Sequence, residues 1–366
     1  GFPFMRQAEA FRSSLPFILL LAVFILPCPM SAAAKPRPAI AFVHLLLPPG
    51  GEPHASPAGW LGSLDRARDT LESLRIPTIV SSASPGNAED LNELSEMDPE
   101  VLITTSPLLY AAACDVAKRS PNTVFFACTD ETVHDNMSGF QARTYEAHYL
   151  AGLIAGALSE DGVIGYLAND PYQSKASRLR NANAFTLGAQ KSKAAIRVLY
   201  APGNDPDEEL KTLIAAGADI VDLERALPSL VERLREHSVR YVGTAGRTVD
   251  PLCLAAPEWE WSNAFGDLLT QVRFGIWRPR NVSYGIKEGV VGLSPFGPAV
   301  PETVRVRVRE AKEAIRNGAS PFEGPVRDVS GSLRIAEGSV PDDATLRGMD
   351  WRVQGLEPLP LTPDGL

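Results

Sequence analysis

Cysteine is scarce here: Cys28, Cys114, Cys128 and Cys253 are the four in 366 residues. None stands at a CxxC or zinc spacing, so the chain is neither a disulfide-stapled scaffold nor a zinc module. Histidine is nearly as rare, at positions 44, 54, 134, 148 and 237, with no i,i+4 pair. No metal and no cofactor is expected. A GxSxG elbow and a Walker-type Gly-Lys-Ser/Thr loop are also missing, and no nucleophile–base set is visible. The expectation is a protein that is not an enzyme. Basic charge is short as well: 35 Lys and Arg stand against 44 Asp and Glu, a net charge of -9. That argues against a nucleic-acid partner, which calls for a basic face. Arg305, Arg307 and Arg309 sit among glutamates and read as a solvated helix face. No long repeat and no low-complexity tract interrupts the chain.

What is present is the composition of a folded protein, 45% hydrophobic and 22% charged. The length leaves room for two domains of about 150 residues. Residues 1–34 read as a cleaved export signal behind a short upstream extension, Gly1 to Phe4. Arg6 and Arg12 precede the ten-residue apolar run Phe17–Leu26, and Ser31–Ala34 supplies small residues for cleavage after Ala34. The run is about half the length that spans a bilayer, and Pro27 and Pro29 follow it at once. The expected location is periplasmic. Cys28 stands where a lipid anchor could attach, but Pro27 replaces the Gly or Ala that bacterial lipoproteins carry there. Residues 1–34 have a net charge of +1, so the rest carries -10. Such a balance suits a small-molecule binder that stays soluble.

Beyond the signal, short apolar runs alternate with helical patterns. Ala39–Val43, Thr78–Ser81, Val101–Thr105 and Thr123–Cys128 read as buried strands. Between them Trp60–Leu74, Asn87–Met97 and Leu108–Lys118 read as helices. The pattern restarts with helices over 176–190, 207–216 and 227–237 and strands at 196–200, 219–221 and 241–243. Two successive βαβ sets predict an α/β fold of two lobes, each a parallel sheet flanked by helices. Open parallel sheets bind ligands at the carboxyl ends of their strands, so two facing lobes predict a hinged cleft. Further on, Trp259–Ile276 reads as a helix, Val282–Leu293 as a β-hairpin and Pro301–Gly318 as an exposed helix. Everything after Pro321 is turn-like.

The stretch Tyr145–Ala168 organises the middle of the chain. Tyr149, Leu150, Leu153, Ile154, Ala157 and Leu158 form an apolar helical face, and Gly152 and Gly156 thin it for close packing. Glu160-Asp161-Gly162 ends the helix before the strand Val163–Ala168. This wording resembles the basic membrane protein family of exported substrate-binding proteins, which includes purine nucleoside receptors. The resemblance continues through Asn183–Gly188, Gly217–Ile220, Gly285–Gly289, Pro298–Pro301, Pro321–Pro325 and Gly348–Trp351, spanning about 40–351 in consistent order. It implies the periplasmic binding protein type I fold with three crossings between lobes. Lobe one would hold 39–140 plus 256–282, lobe two 141–255 plus 283–352, and 353–366 would be a C-terminal tail. It also implies a monomer that delivers a purine base or nucleoside to an ABC transporter permease. The same fold could instead serve as a sensor that engages a signalling partner.

A purine needs a flat face to stack on and a few aligned hydrogen-bonding groups. Trp60 follows Gly59 at a loop–helix junction where relatives place an aromatic; burial under the loop is the alternative. Thr105 and Ser106 end a strand and match a Thr-Ser pair lining the family pocket, or else cap a helix. Tyr145 opens the central helix beside Glu146. Trp261 lies where relatives carry Asn-Trp, as a ligand contact or as core. Lys287 corresponds to a family lysine that reaches the sugar, or is an exposed turn residue. Departures from the pattern are equally informative. His44–Gly51 replaces an acidic, Phe-bearing motif, and Leu61-Gly62-Ser63 replaces Tyr-Gln-His. Leu223–Ala226 replaces a polar His-Thr-Asp-like segment. The Gly-rich loop Thr244–Arg247 has its acid displaced to Asp250, and Arg247 could pair a carboxylate or phosphate. The scaffold therefore matches the family better than the pocket does, and a changed, acidic ligand is the alternative.

Overall fold

The computed structural model describes residues 37–46, 59–129, 131, 134–171, 173–243 and 250–359. The expected signal segment and Cys28 lie outside them, as does Arg247. The first round of elements runs β1 (Ile40–Leu45), α1 (Trp60–Ser73), β2 (Thr78–Ala83), α2 (Glu89–Glu96), β3 (Val101–Thr104), α3 (Tyr110–Ala117), β4 (Val124–Cys128) and β5 (Met137–Ala142). The second runs α4 (Thr144–Leu158), β6 (Val163–Leu167), α5 (Lys175–Ser192), β7 (Arg197–Ala201), α6 (Pro206–Ala215), β8 (Ile220–Leu223), α7 (Pro228–Glu236), β9 (Arg240–Gly243) and β10 (Cys253–Ala255). The chain then adds β11 (Pro257–Trp259), α8 (Ser262–Arg273), β12 (Asn281–Tyr284), β13 (Val291–Leu293) and α9 (Glu302–Arg316). It closes with β14 (Val326–Arg327), β15 (Leu333–Ile335), α10 (Asp343–Arg347) and β16 (Leu356–Pro358).

Two six-stranded sheets result, in the orders β12-β5-β4-β3-β1-β2 and β10-β9-β8-β6-β7-β16. Every pairing in both is parallel. Strand composition follows position. Central β1 (IAFVHL) is buried at all six residues, His44 included, as a mostly apolar run covered on both faces requires, whereas edge strand β2 (TIVSSA) is mostly half-buried. In each round the third strand inserts on the far side of the first. That reversal creates a switch point, between β1 and β3 in one sheet and between β6 and β8 in the other.

Helix α4 has almost no polar face and is buried along nearly its whole length. It packs against α5 so closely that a Cβ at Gly152 would collide with the Phe185 carbonyl oxygen, one at Gly156 with that of Ala189, and one at Gly188 with that of Tyr149. The thin face expected from the two α4 glycines is therefore occupied by a helix that carries its own glycine at the contact.

Three expectations need correction. Residues 282–293 do not form a hairpin: β12 joins the edge of the first sheet beside β5, and β13 pairs antiparallel with β11. The turn at 285–289 connects two strands that pair with different, earlier strands, which local turn residues cannot reveal. The expected tail supplies β16, which pairs with β7 at the edge of the second sheet. Residues after Pro321 are not all turn, since they also form β14, β15 and α10. Cys114, Cys128 and Cys253 are free thiols, the first two buried.

Candidate functional site

A cleft opens where the strand ends of the first sheet face the start of α5. One wall is built from Trp60, Pro107, Cys128, Thr129, Gln141, Ala142 and Thr144. The other is Gln173, Ser174 and Ser177. Trp60 follows β1 and Pro107 follows β3, so the first wall stands over a switch point, the usual place for a ligand on an open parallel sheet. The opposite wall follows β6, at the switch point of the second sheet.

Trp60 is held rigidly. Its indole Nε1 donates to the Thr105 carbonyl at 2.8 Å. Its ring meets Trp259 and Trp261 edge-on, with centroids 5.7 and 5.3 Å away. Trp259 in turn donates Nε1 to Thr144 Oγ1 at 3.2 Å. Pre-set aromatic geometry of this kind reduces the ordering cost of binding a flat ligand. Opposite, Ser174 caps α5 by accepting from the Ser177 amide at 3.1 Å, and the Gln173 side chain is fixed between Asp170 and Asn181. Apolar Trp60, Pro107 and Ala142 face polar Gln173, Ser174 and Ser177, a lining suited to a flat ring with polar edges.

The other residues singled out from the sequence fall elsewhere. Thr105 and Ser106 are wholly buried. Thr105 bonds Val43 and supports Trp60, and Ser106 caps the turn at Pro107–Leu109 by accepting from Leu108. Trp261 is fully buried too, stacked on Phe265 with centroids 5.5 Å apart and edge-on to Phe140 and Tyr284. It is core, and reaches the cleft only through Trp60.

Tyr145 packs on Phe322 and beneath the Arg180 guanidinium, away from the main cleft. Burial pushes its hydroxyl pKa up. Asp250 accepts from Arg235 at 2.7 Å, Tyr241 at 2.9 Å and the Leu252 amide at 3.0 Å. Arg235 lies in the last turn of α7 and Tyr241 near the start of β9, so Asp250 sits at the strand-start edge, opposite the cleft. Burial works against its charge, but those three donors hold its pKa below the ordinary value. Lys287 is exposed on the turn after β12 and does not line the cleft.

Sequence reasoning missed Gln141, Thr129, Gln173, Ser174 and Ser177. Gln141 and Thr129 stand at the ends of β5 and β4, where a search of strand ends would have found them, whereas Gln173, Ser174 and Ser177 lie at the start of α5, several residues beyond β6. Behind Gln173 lies a buried acidic network in the second lobe. Tyr166 donates to Glu224 at 2.8 Å, and His148 Nδ1 lies 3.1 Å from Asp222 Oδ2. Burial raises the Glu224 pKa to about 7. His148 loses proton affinity to burial, yet Asp222 outweighs that loss and the net direction is up.

The family model described as ABC transporter substrate-binding protein PnrA-like (Bmp) matches residues 63–215. The chain is 28% identical over 344 residues to a Brucella abortus protein named as purine-binding, covering 89% of this chain and 95% of that one. It is also 28% identical over 307 residues to a putative ABC transporter glucose-binding protein of Haloferax volcanii, 77% of this chain and 78% of that one. A solved ABC transporter solute-binding protein from Conexibacter woesei superposes with a TM-score of 0.60 at 17% identity, over 76% of this chain and 97% of that chain. The two-sheet architecture is thus that of the periplasmic binding protein type I solute-binding proteins.

Proposed function

We propose, from the match of residues 63–215 to the PnrA-like family of ABC transporter substrate-binding proteins, that this chain captures a small ligand between its lobes for a membrane permease. The finer reading is a purine base or nucleoside. The observation that carries it is Trp60, fixed by the Thr105 carbonyl and two further tryptophans at the mouth of β1, across from the polar start of α5. A purine stacked on that ring would place its polar edge toward Gln141, Gln173, Ser174 and Ser177. The relative named as purine-binding covers most of both chains and supports the same choice. A sugar is the second reading, favoured by the relative named as glucose-binding, since aromatic faces also receive sugar rings. The chain would reach its permease as an exported monomer.

Tryptophan fluorescence titration separates the two. Hypoxanthine, adenine, guanine and their nucleosides are expected to quench emission saturably, and glucose to leave it unchanged. Saturable binding of glucose with no response to any purine would replace the purine reading by the sugar one.

A further inference from the structure

The two strands that flank the second switch point, β6 and β8, each run on into a loop that carries a buried carboxylate. Asp170 lies just beyond β6, and Glu224 follows β8 directly. The loops are tied together. Asn169 Nδ2 donates to the Arg225 carbonyl at 2.8 Å, and the Arg225 amide donates back to Asn169 Oδ1 at 2.9 Å. That tie sets Glu224 against its neighbours: its Oε1 accepts from the Tyr166 hydroxyl at 2.8 Å, and its Oε2 from the Asp170 amide at 3.5 Å. Asp170 Oδ2 in turn accepts from Gln173 Nε2 at 3.0 Å, and Gln173 Oε1 accepts from Asn181 Nδ2 at 2.9 Å. A carboxylate only accepts, so the nitrogen of the Gln173 amide must face Asp170. Gln173 lines the cleft, and those two bonds leave one N–H and one lone pair of its amide for a ligand.

Acids outnumber bases around Glu224. His148 reaches in from α4 and pairs with Asp222 on β8, whose Oδ1 has no hydrogen-bond partner among the described residues. Tyr166 comes from β6, and Tyr200 of β7 stacks on it with centroids 6.2 Å apart. Arg178, Glu209 and Arg352 act on Tyr200 in turn. Arg178 donates to the Ala168 and Pro202 carbonyls, and Arg225 follows Glu224 in the loop. Three buried carboxylates thus share one imidazole. With His148 matched to Asp222, Glu224 and Asp170 remain as two like charges out of water, an arrangement that favours a proton on one of them. Burial lifts the Glu224 carboxyl to about 7, in line with that count.

We infer that Glu224 is a positioning residue for the cleft: carrying a proton, it lets Asp170 keep the charge that turns the Gln173 amide toward the ligand. The inference rests on the cleft being the ligand site, and it adds a proton that regulates that site. When the proton leaves, Glu224 and Asp170 repel each other, and the bond from Gln173 to Asp170 slackens. Glu224 does not line the cleft, so it acts on a ligand only through Gln173. Since the protonated form is the one that grips, affinity falls as pH rises.

Calorimetric titration of the full chain at pH 6, 7 and 8 tests this with adenosine, inosine and glucose, none of which changes charge appreciably over that range. Apparent affinity scales with the population of the gripping form, so binding is expected to be about ten-fold weaker at pH 8 than at pH 6. Glu224→Gln keeps the shape of the side chain without its titrating proton and is expected to bring that ratio close to one. A merely structural role for Glu224 would change the melting temperature and leave the ratio alone. The side-chain amide resonance of Gln173 in isotope-labelled protein, assigned by its loss in Gln173→Ala, reads the same coupling without a ligand. It is expected to move with a midpoint near pH 7, and to stand still in Glu224→Gln. A probe that binds equally at pH 6 and pH 8, or a ratio that Glu224→Gln leaves intact, overturns the inference and leaves the ligand reading in place. No binding by any probe, with a Gln173 resonance that titrates only when Glu224 is present, keeps the inference and removes the purine and sugar readings. No binding and a resonance that never moves overturn both.

Discussion

At Trp60, Glu146 and Asp250 the physical role of a side chain can be read from what touches it. The Trp60 ring is pinned by its indole hydrogen bond and by Trp259 and Trp261, so it meets a ligand without first being ordered. A stacked base on such a ring is worth about 1–3 kcal/mol. Trp60→Ala is therefore expected to weaken purine binding roughly ten- to hundred-fold in a titration, with little change in circular dichroism. Asp250 carries the opposite prediction. Asp250→Ala leaves Tyr241 and Arg235 without their acceptor and should cost about 1–3 kcal/mol in a denaturant melt, with ligand affinity unaltered. A loss of affinity would return Asp250 to the cleft.

Glu146 makes stability depend on pH. Burial lifts its carboxyl to about 7, while the Ile286 amide pulls the other way. The folded chain thus holds this proton up to a higher pH than the unfolded one, whose glutamates titrate near about 4.3. The stabilisation is complete below that lower value and drains away as pH rises through 7. Glu224 and His148 act in the same direction. The melting temperature should fall between pH 5 and pH 8, and Glu146→Gln should make that fall shallower. A variant with the unaltered slope would contradict this. Among single residues, Trp60 could be singled out from its place after Gly59 at a loop–helix junction, and the structure puts it in the cleft wall. The places of Trp261 and Asp250 could not be read that way. A tryptophan at core spacing and an acid after a Gly-rich loop look the same whether they face ligand or interior.

Among the elements, the α4–α5 pair carries the tightest constraint. Alanine is a better helix former than glycine by about 1 kcal/mol, so Gly152→Ala would be stabilising in an isolated helix. Here the added methyl meets the Phe185 carbonyl, a backbone atom that cannot turn aside. Overpacking costs about 1–3 kcal/mol, and with a rigid neighbour the upper end applies, so it outweighs the propensity gain. Gly152→Ala and Gly156→Ala should each lower the denaturation midpoint, while Gly217→Ala, with nothing near its added Cβ, should show only the strain of its positive φ. This contact was readable in advance because four-residue spacing is a local property of a helix. The pairing of β12, β13 and β16 was not. Their short runs carry no mark of which strand they join, and β5, with Gly139 and half-polar composition, gave no strand pattern at all.

Across the whole molecule, the two rounds of strands repeat one order, and their switch points bring Trp60 and Pro107 opposite the start of α5. A cleft so placed has walls on two lobes, and a ligand that bridges them stabilises the folded state by binding it alone. At a thousand times its Kd a ligand adds about 4 kcal/mol, which for lobes of this size moves the melting temperature by roughly 8 °C. The most direct measurement is thus a thermal-shift panel on the full chain with adenine, guanine, hypoxanthine, their nucleosides and monophosphates, glucose, and simple carboxylates. A shift of that size with purine compounds, lost in Trp60→Ala, is the predicted result. A flat response to every purine, or a purine shift that survives intact in Trp60→Ala, would contradict the account.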